Sequence, residues 1–274
     1  MKWQVLIVQE FQINKNMFQK EVRYFLTALM FFTRIPCPSW VDHSEEYLNK
    51  SRKYFPAIGW IVGAISGFVF YLCYLIFPIP IAVLLSMMAS IWITGAFHED
   101  GLSDVCDGFG GGWGKEQIMA IMKDSRIGAY GNIGMSLALL LKFLLLVEIA
   151  NFNPLLCIVI MLNGHTISRF IASTFVHTHD YVQDAAISKA KPIANTKLSV
   201  FEMLYSGVLT LLPLALITSW ILWLAVPIAY ISKIILGRYF QKHIGGYTGD
   251  CLGATQQISE IVFYLSIVGL WKYI

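Results

Sequence analysis

The feature that most restricts this chain is its series of long apolar stretches. A helix needs roughly 20 such residues to cross a bilayer. Stretches at 54–77, 79–97, 133–150, 155–176, 201–218 and 220–236 meet or approach that length, and a shorter one follows at 258–270. An eighth, 25–35, is too short to cross easily and ends at Arg34 and Pro36. Charged residues supply only 14% of the 274, where soluble domains carry about 25%. Too little polar surface exists to coat a water-soluble core of this size. The expected fold is therefore all-α, a polytopic membrane helix bundle of about six to eight transmembrane or re-entrant helices. Residues 1–24 read as a cytoplasmic N-terminal segment and 25–274 as one membrane-embedded catalytic domain. The first 22 residues mix Lys2, Glu10, Lys15, Lys20 and Glu21 with short apolar pieces, unlike a signal peptide. Five cysteines without a CxxC pair read as reduced thiols.

Charge is distributed by loop. The connections at 78–80, 151–154 and 219 carry no Lys or Arg. The N-terminal 53 residues, the 98–132 loop (Lys115, Lys123, Arg126), the 178–200 loop (Lys189, Lys191, Lys197) and the 237–257 loop (Arg238, Lys242) carry nearly all of them. These alternate with the bare turns, so the positive-inside rule puts them in the cytoplasm of a multi-pass inner-membrane protein. Every loop long enough to hold a site then faces one side. That arrangement suits an enzyme at the cytoplasmic face better than a transporter.

The chemistry concentrates in one of those loops. His98-Glu99-Asp100-Gly101-Leu102-Ser103-Asp104-Val105-Cys106-Asp107 places four of the chain's 17 acids within nine residues. If the preceding helix continues, Asp100, Asp104 and Asp107 stand at i, i+4 and i+7 on one stripe. Such crowded carboxylates need a positive partner, and oxygen-only ligands suit Mg²⁺ or Mn²⁺ that also holds a substrate phosphate. A solvated acidic loop is the plainer alternative. The following Gly108–Gly114 run is not a Walker loop. It could cradle phosphate on its N–H groups or simply end a helix. Lys123 and Arg126 are spaced to meet phosphate charge, or to anchor the loop. His165 and Arg169 sit at i, i+4 inside an apolar stretch, and Lys142 sits inside another. Such residues need a partner or a function. A second glycine-rich loop, Gly245–Gly253, carries Asp250 ahead of Gln256, Gln257 and Glu260. A helix cap is the alternative role for Asp250.

The runs FHEDGLSDVCDGFGGGWGKEQIMAIMKDSRIGAYG and GGYTGDCLGATQQISE, with FLTALMFFTRIPCP and YFPAIGWIVGA upstream, closely resemble the cobalamin synthase (adenosylcobinamide-GDP ribazoletransferase) family. The resemblance spans about residues 25–260. It implies a Mg²⁺-dependent phosphotransferase for the final step of coenzyme B12 assembly. Adenosylcobinamide-GDP would donate adenosylcobinamide phosphate to α-ribazole or its 5′-phosphate, and GMP would leave. The lower-ligand base, usually dimethylbenzimidazole, is carried by the ribazole. Glu99, Asp100, Asp104 and Asp107 are then the expected metal ligands. Asp104, Asp107 and Asp250 are the expected catalytic carboxylates, with Asp107 or Asp250 as base. His98, Gly110, Gly111, Lys123, Arg126, Arg169 and Gln257 are the expected substrate contacts. Membrane lipid is an expected partner and nucleic acid is not. Self-association or a complex with other corrinoid enzymes is compatible with this picture.

Overall fold

The computed structural model describes residues 2–182 and 197–273, a helical assembly without a named strand among those residues. Five helical stretches are long and apolar enough to cross a membrane, and a sixth arises if one bent pair counts as a span. The chain is a multi-pass membrane protein. Large apolar side chains such as Phe68, Leu84, Trp92, Leu137 and Leu144 stay exposed, as expected of surfaces that face lipid.

Helix α1 covers Lys2–Phe32, so the short apolar stretch at 25–35 forms its end rather than a separate element. α2 (Glu45–Ser51) leads through a 3-10 turn into α3 (Phe55–Tyr74). α4 (Ile79–Thr94) is followed by α5 (Phe97–Gly111), α6 (Lys115–Met122) and α7 (Ala129–Phe152). α8 (Pro154–Ser173) turns straight back along α7. Its first two free N–H groups, of Leu155 and Leu156, donate to the Asn153 side chain at 3.0 Å each. A single turn, α9 (Phe175–Thr178), ends this hairpin. α10 (Val200–Leu211) starts with a capping box between Ser199 and Glu202. α11 (Ala225–Ile244) and α12 (Gly249–Leu270) complete the bundle.

Close packing is built from glycine. Gly59, Gly63 and Gly67 of α3 lie four residues apart on one face. A Cβ at Gly59 would come within 2.7 Å of the Thr166 Cα, and one at Gly63 within 2.7 Å of the Leu162 Cα. Helices α3 and α8 therefore meet backbone to backbone. Small residues at this spacing are how helices associate where lipid removes the hydrophobic drive.

Three stretches differ from expectation. The stretch at 79–97 does not run straight into the acidic motif. Gly95 (φ +68°) and Ala96 (φ +58°) adopt left-handed backbone, and α5 leaves α4 at 89°. The Arg34 N–H bonds the Ile93 carbonyl at 2.7 Å and so ties the end of α1 to this break. The expected 237–257 loop is nearly all helix, with α11 reaching Ile244 and α12 starting at Gly249. Finally, 201–218 yields only a short apolar helix, Val200–Leu216, broken into 3-10 geometry at Pro213. Lys189 and Lys191 lie outside the described residues.

Candidate active site

The preceding helix does not continue through the acidic motif, but the motif forms a helix of its own, α5, so Asp100, Asp104 and Asp107 do share a helix. Their surroundings separate them. α5 crosses α12 at two glycines: a Cβ on Gly101 would lie 3.0 Å from the Asp250 carbonyl oxygen, and one on Gly253 would lie 3.3 Å from the Gly101 Cα. This crossing sets Asp250 beside the α5 stripe, and Asp104 lies within electrostatic range of Asp100, Asp107 and Asp250. Asp100 is exposed, while Asp104 and Asp250 are half-buried, so all three can be reached from outside. The hydroxyl of Thr248, the cap of α12, donates to Asp250 Oδ2 at 3.4 Å. Among the described residues no Lys or Arg pairs with Asp100, Asp104 or Asp250.

Asp107 faces the other way. Its Oδ2 accepts the Gly128 N–H at 2.7 Å and its Oδ1 accepts the Gly131 N–H at 2.8 Å. A buried carboxylate thus satisfies the free donors at the start of α7, where the helix dipole also favours negative charge. A Cβ on Gly128 or Gly131 would collide with that carboxylate, and one on Gly134 with the Cys106 thiol. The glycines of IGAYGNIG therefore let α7 press against α5.

Glu99 turns inward. Its Oε1 accepts from Gln257 Nε2 at 3.0 Å, and Gln257 in turn donates to Gln256 Oε1 at 2.8 Å. Gln256 donates to Glu260 Oε2 at 2.7 Å and lies 2.8 Å from Ser168 Oγ. Glu260 Oε1 is 2.6 Å from Lys142 Nζ, 3.4 Å from His165 Nδ1 and 3.0 Å from Tyr264 Oη. Arg169 donates to the His165 carbonyl at 2.9 Å and lies over the Phe55 ring. Lys142, His165 and Arg169 thus find their common carboxylate neighbour in Glu260. This buried network joins α5, α7, α8 and α12 directly behind the acidic surface.

The remaining expected contacts distribute as follows. Gly110 and Gly111 sit in the last turn of α5 rather than in an open loop, and a Cβ at Gly110 would meet the Tyr130 ring at 2.6 Å. Lys123 is exposed at the end of α6. Arg126 is exposed and pairs with Asp124 at 2.6 Å. That pairing holds the Asp124 carboxyl down at about 2. Arg169 and Gln257 belong to the buried network, and His98 lines an aromatic cavity next to the crossing.

Among the described residues no three His, Cys, Asp or Glu side chains stand in a ready-made metal-binding arrangement. The donor chemistry of Asp100, Asp104 and Asp250 nonetheless fits a hard divalent cation. They are oxygen-only, accessible, drawn from two rigid helices and without a cationic side chain to neutralise them. Of the two acids expected to complete the set, Asp107 has both oxygens engaged by the α7 N–H groups, while Glu99 has Oε1 engaged by Gln257 and Oε2 buried without a hydrogen-bond partner among the described residues.

The comparisons agree with the resemblance. The cobalamin-5-phosphate synthase family matches residues 24–268. An adenosylcobinamide-GDP ribazoletransferase of Shewanella frigidimarina is 46% identical over 253 residues, 92% of this chain and 96% of the relative. Similarly named proteins of Shewanella amazonensis and Shewanella oneidensis are each 45% identical, over 93% of this chain and 98% of theirs. No solved structure matches. On a match across nearly its whole length, the chain belongs to the cobalamin-5-phosphate synthase family.

Proposed function

We propose that this chain performs the reaction named by its relatives: transfer of adenosylcobinamide phosphate from adenosylcobinamide-GDP to α-ribazole or α-ribazole 5′-phosphate, completing the cobalamin nucleotide loop. The observation that carries this reading is the crossing of α5 and α12. It gathers accessible carboxylates that have no cationic partner among the described residues, in a chain otherwise poor in charge. A ribose hydroxyl of the acceptor forms a bond to the phosphorus that carries the cobinamide. The bond from that phosphorus to the bridging oxygen breaks, and its electron pair leaves with GMP.

Asp100 and Asp104, with Asp250 across the crossing, are the residues that would hold Mg²⁺. The ion would supply charge neutralisation at the diphosphate, where positioning and electrostatics dominate phosphoryl transfer. Asp250 is the better base, because both Asp107 oxygens already accept N–H donors. Lys123 and Arg126 offer exposed positive charge beside the motif. Glu99, Gln257 and Arg169 hold the crossing from behind. The basic residues Lys115, Lys123 and Lys242, all at this end of the bundle's spans, support a site on the cytoplasmic face of the inner membrane.

The test is release of GMP by the protein in lipid nanodiscs. GMP and a cobalamin product should appear together, only with both substrates and Mg²⁺. Chelation by EDTA should stop the reaction and added Mg²⁺ should restore it. GMP release without a corrinoid product would overturn the reading.

A further inference from the structure

Among the described residues the buried Lys and Arg side chains are Arg52, Lys53, Lys142, Arg169 and Lys233. Lys53 faces Glu21 at 2.7 Å, and Lys142 and Arg169 share Glu260. Lys233 of α11 is 4% exposed and, among the described residues, has no carboxylate within ion-pair distance. Its Nζ donates to Thr178 Oγ1 at 2.7 Å and stands over the rings of Phe175, at 5.0 Å, and Tyr230, at 5.7 Å. His179 Nδ1 lies 2.8 Å from the same hydroxyl, and a Cβ at Gly237 would come within 2.7 Å of His179 Nε2. An ammonium carries three N–H donors. Thr178 takes one, and aromatic faces satisfy a cation only in part. A buried charge without a counter-ion is costly, and in a membrane span it marks a function by default.

Both segments leave the apolar region at this point. The α8–α9 span turns polar at His177–Asp180, and α11 turns polar at Arg238, five residues beyond Lys233. Lys233 therefore lies about 7 Å below that boundary, at about 1.5 Å per residue, within reach of its own stem. Both spans start at connections without a basic residue, so these ends lie on the basic side. Asp180, the acid nearest in sequence, is exposed and lies beside His179. Thr178 is exposed, so the ammonium is reached along its hydroxyl. We infer that Lys233 and Thr178 form a site for a phosphate ester at the membrane surface, filled by the headgroup of an anionic phospholipid. A phosphate oxygen accepts the spare Nζ donors and supplies the missing negative charge. Basic pockets between membrane helices on the cytoplasmic side hold acidic headgroups in this way. The exposed Ile231, Ile234 and Ile235 of α11 offer the acyl chains an apolar wall, which a soluble phosphate ester would not use. The site shares no residue with the α5–α12 crossing and stands independently of the transferase reading.

The experiment is native mass spectrometry of the full-length protein in detergent, titrated with phosphatidylglycerol, phosphatidylcholine or inorganic phosphate. The wild-type protein should retain one phosphatidylglycerol in preference to phosphatidylcholine. Lys233→Met keeps the apolar stem and removes the charge. It should weaken phosphatidylglycerol binding about tenfold, the lower end for one charge-assisted hydrogen bond. Thr178→Val, at an exposed position, should weaken it in the same direction. Arg238→Met removes an exposed charge from the same helix and should change the affinity by less than about threefold. Thermal unfolding shows that each variant is folded, and phosphatidylglycerol should raise the unfolding temperature of the wild-type protein more than that of Lys233→Met. Unchanged phosphatidylglycerol affinity in folded Lys233→Met and Thr178→Val would overturn the site. Equal losses in Lys233→Met and Arg238→Met would overturn it as well, because diffuse attraction to acidic lipid would then suffice. Stabilisation by inorganic phosphate without selective retention of phosphatidylglycerol would assign the anion to a soluble source and overturn the lipid occupant.

Discussion

At the scale of single residues, carboxylates that look equivalent in sequence do different work because of what faces them. Asp104 and Asp250 are half-buried and, among the described residues, accept no hydrogen bond from Lys or Arg, while Asp107 is buried and doubly engaged by backbone N–H groups. Asp104→Asn and Asp250→Asn should each lower GMP release at least about 100-fold, the lower range for losing a proton-transfer or charge-stabilising group, with little change in unfolding temperature. Asp107→Asn should behave oppositely. It weakens two charge-assisted bonds, so it should cost about 1–3 kcal/mol of stability, read by thermal denaturation. Equal behaviour of all three variants would remove the distinction. Arg126 offers a cleaner separation. The folded pKa of Asp124 is lowered, from about 3.9 in an unfolded chain to about 2. The pairing therefore contributes above that unfolded value and is lost as pH falls through about 2. Both groups are solvated, so little stability is at stake near neutral pH. A tenfold or larger fall in turnover for Arg126→Ala, with unchanged unfolding, would report contact with substrate phosphate; unchanged turnover would assign Arg126 to anchoring alone.

At the scale of elements, the apolar stretches locate α3, α7 and α8 closely, because periodic burial in lipid needs length and little else. The start of α12 is invisible to that criterion. Asp250, Gln256, Gln257 and Glu260 lower its hydropathy, yet all but Asp250 are buried against other helices rather than exposed in a loop. The Asp100/Asp104/Asp107 stripe is likewise legible as a helix face, whereas the diversion of Asp107 to α7 depends on packing between distant segments. The partner of Lys142 and His165 was legible as a need but not as Glu260, since the pairing joins residues far apart in sequence. Removing one member of a buried pair leaves the other charge stranded, at about 3–5 kcal/mol. Lys142→Met should therefore lower thermal stability sharply. Lys142→Met combined with Glu260→Gln should recover much of the loss, and strict additivity of the two substitutions would show that the pair is not coupled. At the crossing itself, Gly253→Val pushes a side chain against the Gly101 Cα and the His98 backbone. Turnover should fall by more than tenfold, because displacing α12 from α5 separates Asp250 from Asp104.

At the scale of the whole molecule, the arrangement of helices and the distribution of charge lead to one topology. α7 and α8 join at Asn153 without a basic residue between them, and the connection before α11 at Thr218 and Ser219 is equally bare. The α5–α7 segment carries Lys115, Lys123 and Arg126, and the last turn of α11 carries Lys242. Both sets cannot share a side if α7 and α11 each cross the bilayer once. Under the proposed function, the basic side is the one that meets the substrates. Single cysteines at Ser125 and Thr218, in a background whose five native cysteines are replaced by alanine, test this arrangement. A membrane-impermeant maleimide should label Ser125→Cys in inverted inner-membrane vesicles and spare it in spheroplasts. Thr218→Cys should show the opposite pattern. Labelling of both from one side would mean that α11 or α7 does not span, and would leave the acidic crossing without an assigned face.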